Sequence, residues 1–442
     1  MDIGLIVLLL FTLLILILFT GHPLATALGG LSLYFGYFFW GKKQICLMIP
    51  SNLFGVMSNY ILLAIPLFIF MASLLDKSGI IEDLFDSVNK LTGNGRGTLA
   101  IMVIVICTVF AACTGIIGAS VVTMGLIALP QMLKHGYSKS LSTGIIAAGG
   151  SLGILIPPSI MLVVMGDQAS LSVGKLFSAS IIPGLILSAL YIIYIITIVR
   201  VKPSTQCVPN EDIDEASKTH SLKEWLSLLA SLIPILLLIL GVLGSILMGI
   251  ATPTEAAAVG SFISFLIVCL YGKFSLKALN NAVESTAVTT GMVMAILAIA
   301  SVFTSVFIAM GGAKFVTGLL LGMKSKWLIY SFMMIIYFIL GMFIDWTGII
   351  FLTFPVFLPI AAQLGFNKLW FVTIVAIILQ TSFLTPPFGY ALFFLKGISP
   401  KEVKMTDIYR GIMPFIILML IGLAICTIIP NTILYLPSTF FR

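Results

Sequence analysis

The feature that most restricts this chain is its series of long apolar segments. They fall at about 3–20, 24–40, 53–75, 98–133, 140–166, 177–199, 225–247, 252–272, 283–310, 327–363, 369–395 and 406–430. A helix needs about 20 apolar residues to cross a hydrocarbon core roughly 30 Å thick, and most of these segments supply them. With 60% hydrophobic and only 9% charged residues in 442, the chain cannot cover a water-facing surface. Strand-type alternation is absent, which excludes a barrel, so the sequence predicts an all-α polytopic membrane protein.

The first segment reads as a retained helix. Its apolar run from Ile3 to about Phe19 is long for a signal sequence, and Asp2 stands where a basic residue would be expected. The six cysteines (Cys46, Cys107, Cys113, Cys207, Cys269 and Cys426) show neither CxxC nor zinc spacing, and most lie in apolar runs as small hydrophobes. The net charge of +7 fits basic loops beside a membrane better than a nucleic-acid partner. No HExxH, GxSxG or paired intramembrane Asp constellation occurs, so no enzyme activity is expected.

Two segments, 98–133 and 327–363, are too long for one crossing and break near their centres, at ACTGIIGAS (112–120) and IDWTGII (344–350). Each is expected to be a re-entrant hairpin whose tip rests against protein or water, because unpaired backbone cannot face lipid. Amphipathic stretches at 79–92 and 312–325 read as interfacial arm helices.

The two halves match at a nearly constant offset. Thr114-Gly115-Ile116-Ile117 matches Thr347-Gly348-Ile349-Ile350, Leu129-Pro130 matches Leu358-Pro359, and Pro157-Pro158 matches Pro386-Pro387. Five complete spans separate the hairpin tips, and an odd number inverts the second repeat relative to the first. Residues 1–200 are therefore expected to form one repeat, 201–223 a cytoplasmic linker and 224–442 the inverted repeat. Inverted repeats with broken helices are the sequence signature of a secondary transporter. Placing the N-terminus outside puts 15 of the 23 Lys and Arg inside, as the positive-inside rule favours.

Four irregular segments are expected to converge near the midplane. As sodium-site candidates they offer Thr114, Gly115, Gly118, Ser120, Gly150, Ser151, Pro157, Asp345, Thr347, Gly348, Thr381, Ser382, Thr385 and Pro386. As substrate-contact candidates they offer Gly153, Pro158, Ser159, Gln380, Pro387 and Gly389. Unwound carbonyls and hydroxyls give a hard monovalent cation its oxygen ligands without a buried acid, and half-helix N-termini suit an anionic group. Asp345 reads either as an ion or substrate ligand or as a helix N-cap or mouth residue. Glu255, in TPTEAAAVG, reads as the N3 partner of a capping box begun by Thr252. His22, His135 and His220 lie near segment ends or in loops, so no proton relay is visible.

At IPLFIFMASLLDKSGI (65–80), TGIIGASVVTMGLIALPQMLKHGYSKS (114–140), GILIPPSIMLVVMG (153–166), SASIIPGLIL (178–187), TPTEAAAVG (252–260) and FLTPPFGYALF (383–393), the chain resembles the large membrane subunit of the tripartite ATP-independent periplasmic transporters. The resemblance implies a sodium-coupled elevator importer of organic acids in a bacterial inner membrane. It also implies two partners: a small four-helix permease subunit, expected to be a separate chain, and a periplasmic solute-binding protein that delivers substrate. Sodium is the coupling ion, and no other cofactor is implied. The first tip and its break hold fewer hydroxyls than is usual in the family, so a first-repeat sodium site would lean on carbonyls. The alternative is a stand-alone sodium-coupled anion symporter or antiporter of the same superfamily.

Overall fold

A computed structural model of the chain describes residues 3–80, 82–83, 85, 97–115, 117–201, 233–323, 325–387 and 389–441. Most of the 79–92 arm, the 201–223 linker and the start of the 225–247 segment lie outside the described residues. Among those described the secondary structure is helical throughout, and seven helices are long and apolar enough to cross a membrane.

In the first half the helices are α1 (Ile3–Phe19), α2 (Leu24–Phe35), α3 (Lys42–Met57), α4 (Ala64–Lys77), α5 (Thr98–Thr114), α6 (Ile117–Lys134), α7 (Lys139–Ser151), α8 (Ile160–Gln168) and α9 (Val173–Val201). The second half holds α10 (Ile233–Leu247), α11 (Pro253–Leu270), α12 (Leu276–Ala309), α13 (Gly312–Leu321), α14 (Lys326–Gly341), α15 (Trp346–Gln363), α16 (Lys368–Ser382), α17 (Tyr390–Ile398), α18 (Met405–Ile428) and α19 (Asn431–Phe440). The expected hairpins are α5–α6 and α14–α15. The expected broken helices are α7–α8 and α16–α17, and α13 falls within the 312–325 stretch expected to be the second arm.

One segment is divided differently from its hydropathy. The 53–75 run is not a single helix, because Asn59 caps a new turn (Tyr60–Leu63) by accepting the Ile61 N–H at 3.0 Å. The Ser58 hydroxyl meanwhile turns back to the Phe54 carbonyl at 2.7 Å and closes α3. The capping box is as the sequence reads: the Thr252 N–H donates to Glu255 at 2.8 Å, and the Glu255 N–H donates to the Thr252 hydroxyl at 3.3 Å.

The repeats interlock reciprocally. α6 packs against α17 while α15 packs against α8, and α7 lies on α18 while α9 lies on α16. Lipid offers little hydrophobic drive for helix association, so close backbone approach and interhelical hydrogen bonds carry it. Gly144 and Gly411 provide such an approach between α7 and α18, where a Cβ on either would overlap the other chain segment. A second group joins α4, α11 and α12, with α2 and α3 against α12. Here the Ser261 hydroxyl donates to the Leu67 carbonyl at 2.8 Å, and the Asn52 amide donates to Ser305 at 2.8 Å.

Contacts sort the loops onto two ends, named here from the expected orientation. At the inner end Lys273 meets Asp83 at 2.9 Å and Lys139 bonds the Glu402 carbonyl at 3.0 Å. At the outer end Asn59 bonds Asp167 at 2.7 Å, and Tyr330 bonds Thr427 at 2.7 Å. There too, Gly174 abuts both Ile246 and Phe441.

Candidate functional site

Each hairpin tip meets the break of its own repeat. Gly115 ends α5 in the left-handed region at φ +57°, and a Cβ there would lie 2.9 Å from the Pro158 carbonyl oxygen. In the second repeat, Gly341 ends α14 directly against Ser382, so any side chain at 341 would overlap the Ser382 hydroxyl. Gly341 was not among the residues singled out from the sequence. Its position just before the IDWTGII tip was the available signal.

Both breaks follow the same course. The Pro157–Pro158 and Pro386–Pro387 peptides are both cis. The last turn before each break carries a hydroxyl that donates back three residues, Ser151 to Ala148 at 2.7 Å and Thr381 to Ile378 at 2.6 Å. Beyond that the two differ.

In the first break every described hydroxyl is engaged. Ser159 donates to the Ile154 carbonyl and accepts the Leu162 N–H at 3.4 Å, so it caps α8. The Leu152 carbonyl accepts from both Leu155 and Ile156, at 3.0 and 2.9 Å. In the second break, Thr385 donates to the Thr381 carbonyl, and α17 has no side-chain cap. Instead the Ala391 N–H reaches back to the Phe383 carbonyl at 3.1 Å. Two side chains remain: Gln380 is 0% exposed and Ser382 5% exposed. Among the described residues, the oxygen and nitrogen of Gln380 and the hydroxyl of Ser382 have no hydrogen-bond partner. Leaving a buried polar group unsatisfied costs about 1–3 kcal/mol, so these atoms mark a place where a ligand would complete the structure.

The other candidates are placed as follows. Asp345 is the N-cap of α15, where it accepts both the Thr347 N–H at 3.2 Å and the Thr347 hydroxyl. The structural alternative left open for Asp345 is thus realised, and Thr347 is engaged with it. Thr353 ties the arms of its hairpin together, bonding the Ile349 carbonyl at 2.7 Å and the Tyr337 hydroxyl at 3.0 Å. Gly118 faces the Phe394 ring, Gly150 lies on Val121, and Gly348 lies on Leu24, so these three admit neighbouring helices at close range. Ser120 is buried beside the first tip, and Gly153 is buried in the turn that follows α7. Gly389 is the backbone N-cap of α17. The Thr114 side chain lies outside the described residues. Asp76, which the sequence reading passed over, accepts the Thr123 hydroxyl and pairs with Lys77 at 3.1 Å, joining α4 to α6.

Among the described residues no group of three or more His, Cys, Asp or Glu could hold a metal ion. The donor set at the second break is instead neutral oxygen plus one carboxamide. Such a set suits a weakly held monovalent cation, and the amide N–H groups can donate to a carboxylate.

Comparison with known proteins agrees with this architecture. Residues 11–432 match the family model described as the tripartite ATP-independent periplasmic transporter, DctM component. The chain is 34% identical over 410 residues to the C4-dicarboxylate TRAP transporter large permease protein DctM of Pseudomonas aeruginosa, covering 90% of this chain and 92% of that one. It is 31% identical to the protein of the same name from Vibrio cholerae, covering 97% of each. The sialic acid TRAP transporter large permease protein SiaM of Vibrio cholerae is 28% identical over 88% of this chain. Among solved structures, the YdaH transporter of Alcanivorax borkumensis superposes with a TM-score of 0.60 over 95% of this chain at 16% identity, which shows a shared fold.

Proposed function

The chain belongs to the DctM component of the tripartite ATP-independent periplasmic transporters and is a large transporter membrane subunit, and we propose that it imports an organic acid driven by the sodium gradient. The observation that carries this reading is the pair of unsatisfied buried side chains, Gln380 and Ser382, at the break beside the second hairpin tip. A carboxamide has two faces: its oxygen can ligate sodium while its N–H groups donate to a carboxylate. One residue held by the ion is thereby oriented for the substrate, which is a direct physical route to coupling. Ser382 adds a second oxygen, and Gly341 leaves the room for it.

The relatives' names support the substrate class, since they specify C4-dicarboxylates and sialic acid for those proteins. In this reading a periplasmic solute-binding protein delivers substrate and a small permease subunit completes the complex. The N-terminus lies on the periplasmic side of a bacterial inner membrane. The interlocked hairpins and broken helices move together past α4, α11 and α12 as an elevator. Sodium-free controls decide the matter. In proteoliposomes holding the complete complex, uptake collapses when the sodium gradient is replaced by potassium. Uptake at full rate without sodium would refute the reading.

A further inference from the structure

Three hydrogen bonds join the interlocked hairpins and broken helices to the group built on α4, α11 and α12. At the outer end the Asn59 amide donates to the Asp167 carboxylate at 2.7 Å, tying the turn before α4 to the end of α8. At the inner end Asp76, near the end of α4, accepts the Thr123 hydroxyl of α6. Between α12 and α15 the Thr304 hydroxyl donates to the Phe351 carbonyl at 2.7 Å. That carbonyl lacks its ordinary helical partner, because Pro355 has no N–H to offer it.

The first two bonds sit at opposite ends of one crossing. The span Tyr60–Lys77 holds 18 residues, or about 27 Å at 1.5 Å per residue. Around them the boundary is apolar, as where Phe68 meets Phe177 and Phe19 meets Phe343, with ring centroids 6.4 and 5.7 Å apart. Apolar contacts of this kind can re-form at another height, whereas a shift of one helical turn, about 5.4 Å, carries a donor out of reach of its acceptor. The outer pair is also fully committed. The Asn59 oxygen accepts the Ile61 N–H at 3.0 Å while its nitrogen serves Asp167, whose other oxygen accepts from Gln168 at 3.0 Å.

The second repeat does not copy the pair at the ends of α4. At the offset that matches Thr114 with Thr347, Asn59 and Asp76 fall on Met292 and Ala309, which are apolar. At the offset that matches the two Pro-Pro pairs, Asp167 falls on Lys396, which bonds the Val403 carbonyl of its own group at 2.6 Å. We propose, on the elevator reading above, that Asn59–Asp167, Asp76–Thr123 and Thr304–Phe351 form a latch that selects this one height of the moving group. All three bonds break together when it travels, and the outer pair is the strongest because its acceptor is charged.

The test reads the distance between spin labels at Lys277→Cys on α12 and Lys401→Cys between α17 and α18, both exposed positions. It uses double electron–electron resonance on the complete complex in nanodiscs, with Cys46, Cys207 and Cys269 replaced by serine. Asn59→Asp keeps the oxygen that caps the turn but sets two carboxylates face to face. It is expected to raise the share of a second distance relative to the first by about tenfold or more. Adding Asp167→Asn restores a carboxylate–carboxamide pair of opposite sense, and the wild-type distribution and uptake rate return. Thr123→Val and Thr304→Val each move the ratio the same way by about threefold. Asn52→Ala breaks a bond inside the stationary group, to Ser305 at 2.8 Å, and leaves the distribution unchanged. A distribution that ignores all three latch variants, yet moves when potassium is replaced by sodium, overturns the latch and leaves the elevator intact. A shift in Asn59→Asp that Asp167→Asn does not reverse overturns it in favour of a capping role. One unchanged distance in every variant and either salt overturns the latch and the elevator reading together.

Discussion

The two Pro-Pro breaks follow the same backbone course yet differ in what their side chains still lack. In the first, Ser151 and Ser159 are bonded to nearby carbonyls and Ser159 also caps α8, so the described polar side chains are internally complete. In the second, Thr381 and Thr385 are likewise bonded to their own helix, while the polar atoms of buried Gln380 and Ser382 find no partner among the described residues. Internal symmetry thus supplies the scaffold twice, and of the two breaks only the second holds unsatisfied side chains among the described residues. Offset matching aligns Ser151 with Gln380 and Gly153 with Ser382, so a saturated hydroxyl and a bare backbone in one repeat become two open polar groups in the other.

This contrast can be broken experimentally, starting where the effect is largest. Gly341→Val forces a side chain into the Ser382 hydroxyl, and overpacking of this kind costs about 1–3 kcal/mol. Sodium-driven uptake is expected to fall by about two orders of magnitude, measured as initial rate in proteoliposomes, with the chain still inserted. Retained uptake would place Ser382 outside the working site.

Gln380→Met removes both unsatisfied atoms at similar volume. A hydrogen bond to a charged group contributes about 1.5–3 kcal/mol, so uptake falls roughly 10- to 100-fold. Thermal stability of the ligand-free protein holds or rises, because no orphaned amide remains buried. A loss of stability without loss of uptake would assign Gln380 to packing.

Ser382→Ala is expected to raise the sodium concentration for half-maximal uptake by about threefold to tenfold, in keeping with about 1 kcal/mol for one neutral oxygen. Ser151→Ala in the first break leaves that concentration unchanged. An equal shift in both variants would erase the distinction between the repeats. The smallest effect belongs to Thr252→Ala, which removes a helix cap and lowers stability by about 1 kcal/mol. Its sodium dependence stays as in wild type, read from the same uptake titration.

Much of the architecture was legible in the sequence because it is written in coarse signals. Apolar length fixed the spans, the interruptions at 112–120 and 344–350 fixed the hairpin tips, and the paired prolines fixed the breaks. The Thr252–Glu255 capping box was legible because its spacing is its mechanism. Hydropathy missed the division at Ser58 and Asn59, since a side-chain cap ends a helix without changing its apolar content. The site was legible only as a set of polar residues near glycine and proline. Whether a hydroxyl is free depends on local carbonyls, which a sequence does not display. Asp345 shows the same limit: its charge stood out, but that one of its carboxylate oxygens caps the first turn of α15 is seen only in the fold. Gly341 and Asp76 were passed over because their partners, Ser382 and Thr123, are distant in the chain.

The most direct test of the central claim is sodium-dependent stabilisation of the purified chain. A ligand that binds the folded state raises stability by RT ln(1 + [L]/Kd). The melting temperature of wild type and of Ser151→Ala should therefore rise with sodium over an equal concentration of potassium, and the rise should vanish in Gln380→Met and shrink in Ser382→Ala. An undiminished sodium effect in both second-break variants, or its loss in Ser151→Ala alone, would contradict the account.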